Sequence, residues 1–295
     1  MLGGDQVTNP INENYETFFD VCEGFSSLLG RDLYYGLVWG NHDDQTYWEN
    51  LSSHSLSETN PHCLYREVEN SLSGESNYLI NLKKNGKTLW QLYALDTNSY
   101  VYSSGEFSGY DSLHEEQIDW FESEVKAAKG KNPGVKNLAF LHIPLWESEF
   151  AYRLNGQSSA SEGGSAPGYL GRYSGVMQED LVSRGDLGPT RVCTSNERSP
   201  FFAKAEELGC TSAMFFGHDH INDFSAEYKL NRQSDYISLV YGLKTGDGLY
   251  YDPSLLGGTM IEIGEDMSCS IYRCFQSYEE DYSEKKGYRQ ENLYQ

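Results

Sequence analysis

The chain has 295 residues, with 44 acidic against 22 basic side chains and six cysteines. A formal charge of −22 argues against duplex nucleic acid and against an anionic membrane surface, since both need clustered Lys and Arg. At 38% hydrophobic and 14% aromatic the composition is that of a folded core, and no apolar run reaches the ~18 residues of a membrane-spanning helix.

The start, Met1-Leu2-Gly3-Gly4-Asp5, shows no basic segment followed by an apolar stretch, so no signal peptide is expected. Tyr15 to Leu29 spaces Phe18, Phe19, Cys22, Phe25, Leu28 and Leu29 as a helical stripe that stops at Gly30. Leu33 to Trp39 reads as a short buried strand leading into Gly40-Asn41-His42-Asp43. Tyr78 to Leu95 reads as a hairpin about Asn85-Gly86, the strongest kind of short turn signal. His114 to Lys129 is a helix with acidic residues first and lysines last, the polarity that a helix dipole favours.

Val135 to Leu141 is a second buried strand, ending at His142, and the Gly- and Ser-rich stretch Asn155 to Gly175 reads as a long surface loop. Ser199 to Leu208 is helical, and Thr211 to Phe216 is a third buried strand ending at Gly217-His218-Asp219-His220. Phe224 to Tyr228, Tyr236 to Tyr241, Thr259 to Ile263 and Ser268 to Phe275 read as closing strands. One domain over residues 1–277 and a polar, frayed tail over 278–295 are expected. The cysteines follow no zinc-finger or CxxC spacing, which leaves buried thiols and one or two bridges both open. Asn50-Leu51-Ser52 is a formal glycosylation sequon.

Three apolar strands therefore end in metal-ligand residue types: Asn41-His42-Asp43, His142, and His218-Asp219-His220. Strand ends on one rim of a sheet are the usual place for a site in α/β folds, and imidazole with carboxylate suits Zn, Mn, Fe or Co. His142 alone reads first as a satisfied buried histidine, and Gly-Asn-His-Asp alone as a turn. All three together, in this order, weigh against those readings. His54, His62 and His114 lie in polar or helical contexts and read as exposed or locally hydrogen-bonded.

The order Gly4-Asp5, Gly40-Asn41-His42-Asp43, His142 and Gly217-His218-Asp219-His220 resembles the calcineurin-like metallophosphoesterase superfamily. Phe140-Leu-His-Ile-Pro-Leu145, Phe216-Gly-His-Asp-His-Ile-Asn-Asp-Phe224 and Gly109-Tyr-Asp-Ser-Leu-His-Glu-Glu-Gln-Ile-Asp-Trp120 are similar to its purple-acid-phosphatase-like branch. The resemblance implies an α/β fold of two stacked mixed β-sheets flanked by helices, an α/β/β/α sandwich. It also implies two divalent or Fe/Zn/Mn-type metal ions in the full-length protein. Asp5 would bridge them; Asn41, His142 and His218 would bind the second ion, and His220 the first. His42 would assist the leaving group, with Asp43 orienting it. The implied reaction is phosphomonoester hydrolysis by a metal-bridging hydroxide, on a phosphorylated small molecule or a phosphoprotein.

The chain departs from the family pattern at two places. The superfamily opens with a strand ending in Asp-x-His, whereas only Met1, Leu2 and Gly3 precede Gly4 here. The expectation is a sandwich lacking its first strand, in an N-terminally truncated chain whose first ion keeps only Asp5 and His220. Catalytic zinc typically has three protein ligands, so weak or absent activity is expected of this chain, the full-length protein being the enzyme. Purple enzymes carry a tyrosine three residues after the Gly-Asp aspartate, and Thr8 stands there, so no tyrosinate-to-iron colour is expected. A phosphodiesterase and a non-catalytic metal-binding scaffold are the rival readings. An amide-cleaving zinc hydrolase fits poorly without a His-Glu-x-x-His helix.

Overall fold

The computed structural model describes residues 1–7, 12–43, 59–66, 72–156, 166–184, 187–278 and 285–294. Thr8, His54 and the Asn50 sequon lie outside them. The described α-helices are α1 (Asn12–Leu29), α2 (Glu115–Lys131), α3 (Trp146–Leu154) and α4 (Phe201–Leu208). The strands begin with β1 (Tyr78–Lys84), β2 (Lys87–Ala94), β3 (Tyr100–Ser103), β4 (Glu106–Tyr110), β5 (Lys136–Phe140) and β6 (Tyr169–Ser174). They continue with β7 (Val182–Arg184), β8 (Gly188–Thr190), β9 (Thr211–Phe216), β10 (Ser225–Lys229) and β11 (Ile237–Tyr241). The last are β12 (Gly257–Ile263), β13 (Cys269–Tyr278) and β14 (Lys285–Tyr294).

A seven-stranded mixed sheet in the order β1-β2-β5-β9-β11-β10-β6 organises the molecule. Its centre, β2, β5, β9 and β11, is parallel; β1 and β10 pair antiparallel with it, and β6 pairs antiparallel with β10. Central parallel strands are covered on both faces, which is why they read as continuous apolar runs rather than alternating ones. The pleat then divides each strand between two cores. Ala139, Met214, Phe216, Leu239 and Tyr241 face one, with Phe121 and Val125 of α2, Phe150 of α3 and Phe201 of α4. Leu138, Phe140, Ala213, Phe215 and Val240 face the other, with Tyr15 and Phe19 of α1 and Ile271 of β13. Each fully buried Leu or Phe contributes about 1.5–3 kcal/mol, so the two-sided burial fixes the register of the central strands. The small antiparallel sheet β12-β13-β14 adds the partly buried Ile261 and Ile263 to that second core. The α/β sandwich expected from the sequence is the fold observed.

The hairpin turn is at Asn85 (φ 50°) and Gly86 (φ 77°), the two left-handed residues that a tight turn between twisted strands requires. Other expectations need correction. Residues 33–39 are extended but form only isolated bridges, Tyr35 to Cys63 and Leu37 to Leu2, rather than a laddered strand. On α1 the buried stripe is Tyr15, Phe19, Cys22 and Ser26, whereas Phe25, Leu28 and Leu29 are exposed. Within the stretch read as a loop, Tyr169–Ser174 is the edge strand β6; its Arg172 is exposed and pairs with Glu227, typical edge chemistry that hides the apolar period. The tail is not frayed over Lys285–Tyr294, which pairs with β13. Its polar sequence gave no strand period because an edge strand does not need one. Tyr34 is exposed and meets the His62 ring edge-on. All six cysteines are free thiols.

Candidate metal centre

Four chain segments deliver their polar ends to one rim of the central sheet. β5 and β9 are adjacent and parallel, with Phe140 opposite Phe215, so His142 and His218 leave the sheet side by side. The Gly217 N–H donates to the His142 carbonyl at 3.1 Å, which locks the two strand ends together. Residues 40–43 arrive from the extended segment 33–39, and Asp5 from the N-terminal segment, whose Leu2 carbonyl accepts from the Val38 N–H.

His142 Nε2 is the focus of the cluster. It lies 3.1 Å from Asn41 Oδ1, 3.3 Å from Asp5 Oδ2 and 3.3 Å from His218 Nδ1. Ligands on tetrahedral bonds of about 2.0–2.1 Å stand roughly 3.3 Å from one another, so these spacings are those of a coordination sphere. One carboxylate, one amide oxygen and two imidazoles also form a donor set for a transition-metal ion. The other nitrogen of His142, Nδ1, is 2.7 Å from the Gly3 carbonyl, an acceptor that leaves the Nε2 lone pair for a metal. The residues present fit one such ion.

The cradle is cut close to the backbone. A Cβ at Gly4 would lie 2.1 Å from His142 Nδ1, one at Gly40 would lie 2.2 Å from Asp5 Oδ1, and one at Gly217 would lie 2.6 Å from the Gly3 carbonyl. Asp5 (φ 51°) and His218 (φ 70°) both sit in the left-handed region, a conformation that costs non-glycine residues about 1–2 kcal/mol. Such strain persists where the surroundings over-determine it, and here it aims both side chains at one point.

Electrostatics follow from burial and pairing. Burial pushes the Asp5 carboxyl up, but the facing His142 charge, its hydrogen bond and the His42 N–H outweigh that and hold it well below the usual carboxylate range. Burial pushes His142 down; the Asp5 charge, the bond to Asp5 and the Gly3 carbonyl overcome it and raise the imidazole to about 9. Without a metal, the pair is a proton held where an ion would sit.

The other predicted residues divide. His42 is next to the cluster, its N–H donating to Asp5 Oδ1 at 2.9 Å. Asp43, expected to orient His42, instead braces the loop. Its Oδ1 accepts from Tyr15 Oη at 2.5 Å and Gln6 N at 3.0 Å, and its Oδ2 accepts from Gly40 N at 2.8 Å. Burial pushes its carboxyl up to about 6. The hydroxyl that meets the His42 ring is that of Tyr100, 3.3 Å from Nδ1, and it also accepts from Asn41 Nδ2 at 2.8 Å.

His220 is in neither group of potential ligands that the described residues bring together. Its ring stacks on Tyr250 at 4.3 Å, with Nδ1 2.9 Å from the Tyr250 carbonyl. Burial first, then the Lys244 charge, pushes its pKa down. The second group, Cys193, His218 and Asp219, is less suited to an ion. Asp219 Oδ2 already accepts from Tyr241 Oη at 2.5 Å, Cys193 N at 3.0 Å and Asn222 Nδ2 at 3.1 Å. Asn222 and Asp223 hold the same loop by accepting from the N–H groups of Gln178, Glu179 and Val176. His62 and His114 take local roles, against Glu23 and against Asp111. A cavity of about 400 Å³ lies at the opposite ends of β5, β9 and β11, lined by Lys136, Thr211 and Ile237, and does not reach the cluster.

Sequence reasoning missed Tyr100 and Tyr110, whose ring meets His218 edge-on at 4.6 Å. Nothing in the sequence marks them; it is the parallel pairing of β2 with β5 in the fold that brings the segment after the carboxyl end of β2 to the same rim.

The α/β fold is consistent with a metallophosphoesterase-like sandwich, and curated relatives support the resemblance to the purple-acid-phosphatase-like branch of the calcineurin-like superfamily. Phosphatase DCR2 of Saccharomyces cerevisiae is 27% identical over 269 residues, covering 87% of this chain and 40% of that protein. "Probable inactive purple acid phosphatase 14" of Arabidopsis thaliana is 29% identical over 239 residues, 70% of this chain and 51% of its own. Purple acid phosphatase 29 of the same plant, also named inactive, is 27% identical over 227 residues, 70% of this chain and 50% of its own. The chain thus spans about half the length of these relatives or less. No family model and no solved structure matches it.

Proposed function

We propose that the chain carries the site of a metal-dependent phosphoesterase acting on phosphomonoesters. What supports this reading above all is the convergence of Asn41, Asp5 and His218 on His142 Nε2 at 3.1–3.3 Å, with His42 beside them. Asp5, Asn41, His142 and His218 would hold one ion; Asp5 and His220 would contribute to a second. Bound there, metal supplies positive charge that offsets the phosphate's repulsion of a nucleophile and lowers the pKa of water. The residues do the rest. Asp5 supplies the anion that keeps cations together. The Gly3 carbonyl keeps the His142 proton on Nδ1. His42 stands as the donor to the departing ester oxygen.

A phosphorylated small molecule or a phosphoprotein is the proposed substrate class. The names of the two plant relatives favour a second reading, a scaffold that binds metal without turnover, and the position of His220 outside the cluster agrees with it. Assaying the metal-loaded chain on p-nitrophenyl phosphate and bis(p-nitrophenyl) phosphate separates the readings. Faster release from the monoester, abolished by His142→Ala, is expected. Metal bound without release from either ester would replace the enzyme with the scaffold, and preference for the diester would make it a phosphodiesterase.

A further inference from the structure

We infer that Tyr100 is a positioning residue that sets both the tautomer of His42 and the orientation of the Asn41 amide. The inference rests on the phosphoesterase reading for its consequence in turnover, and on the hydrogen-bond geometry for everything else. Tyr100 Oη lies between the two side chains, 2.8 Å from Asn41 Nδ2 and 3.3 Å from His42 Nδ1. An amide NH₂ only donates, so the tyrosine oxygen accepts from Asn41, which leaves its own O–H able to donate to His42 Nδ1. A histidine that accepts at Nδ1 carries its proton on Nε2, the nitrogen then able to give it to a departing oxygen. On the other side, anchoring Nδ2 turns Asn41 Oδ1 toward His142 Nε2, the direction a metal ligand needs. One hydroxyl thereby prepares a proton donor and a metal ligand together.

The hairpin that carries Tyr100 is built to hold it. Tyr100 opens β3, and its ring packs against Phe107 and Tyr110 of β4, each with centroids at 5.6 Å. Ser99 Oγ donates to the Asn41 carbonyl at 3.1 Å, tying the start of the hairpin to the loop it serves. Ser104 (φ 54°) and Gly105 (φ 84°) form the tight turn that brings β4 back. Asn41 is fully buried, so without Tyr100 its amide would lose its acceptor with no water to replace it.

The test uses Tyr100→Phe, with Tyr102→Phe as the control, since Tyr102 is an exposed ring on the same hairpin. Imidazole ¹⁵N spectra of the folded proteins read the His42 tautomer directly, and titration with Zn²⁺ alone reads the metal site. Wild type and Tyr102→Phe should show His42 as the Nε2–H tautomer. Tyr100→Phe should give a mixture of tautomers and bind Zn²⁺ about 10-fold more weakly, the usual size for losing a group that orients a ligand. With p-nitrophenyl phosphate, kcat should fall while KM holds. An unchanged tautomer in folded Tyr100→Phe overturns the inference. If the tautomer shifts but wild type releases no phosphate, the positioning role stands and the phosphoesterase reading fails.

Discussion

Gly4 carries a φ of 97°, and a Cβ there would lie 2.1 Å from His142 Nδ1. Gly4→Ala should therefore push the imidazole off its position, weaken metal binding at least 10-fold and cost about 1–3 kcal/mol of stability, read by calorimetric titration and urea unfolding. The Asp5–His142 pair makes a further prediction in pH. His142 titrates at about 9 in the fold against 6.5 when free, so its stabilisation is full below pH 6.5 and fades as pH rises through about 9. Asp5 is held below its free value of 3.8, so its contribution is present above that and lost as pH falls through the folded value. A metal must displace the His142 proton. Affinity should accordingly climb from pH 6 to 9, with proton release visible as a dependence of binding heat on buffer ionisation enthalpy. Asn41, His142 and His218 stood out as candidate ligands because each is a polar residue closing an apolar run, whereas Asp5 was assigned only through the family resemblance. Tyr100 did not stand out, since it is one of 23 tyrosines and most rings of that kind are core. The packing of His220 on Tyr250 was equally hidden, because no sequence spacing pairs those two residues.

At the scale of elements, α2 fixes the segment that leads to the candidate rim. Gln117, buried in its first turn, donates to Asn77 Oδ1 at 2.8 Å and the Asp96 carbonyl at 2.7 Å, and accepts from the His114 N–H at 2.8 Å. Gln117→Ala should cost about 2–4 kcal/mol in urea unfolding, because three polar groups lose their partner out of reach of water. A loss under about 0.5 kcal/mol would show that the anchor is dispensable. Phe140, stacked on Phe215 at 5.0 Å between the sheets, should cost about 3–5 kcal/mol as Phe140→Ala. Such core strands were legible from apolar runs. The edge strands β6 and β14 were not, because their polar sequences carry no apolar period. The β3–β4 hairpin has the same excuse: its turn is Ser-Gly rather than Asn-Gly, and Tyr102 and Phe107 are exposed.

Across the whole molecule the charge of −22 would set how the proposed anionic substrate arrives. The field repels it at long range, and salt screens that field over a Debye length of about 8–10 Å near physiological strength. Raising ionic strength from about 10 to 150 mM should then increase kcat/KM for a phosphomonoester; a decrease would mean that a local positive patch governs capture. The sandwich as a whole was legible because two-faced burial writes itself into composition, and its rim because ligand residues follow the central strands. The central claim is that Asp5, Asn41, His142 and His218 hold a metal ion. Elemental mass spectrometry of the desalted protein after metal loading measures it most directly. At least one ion per chain in wild type, lost in His142→Ala and in His218→Ala, is the predicted result. A metal-free wild type, or variants that retain the full complement, would contradict it.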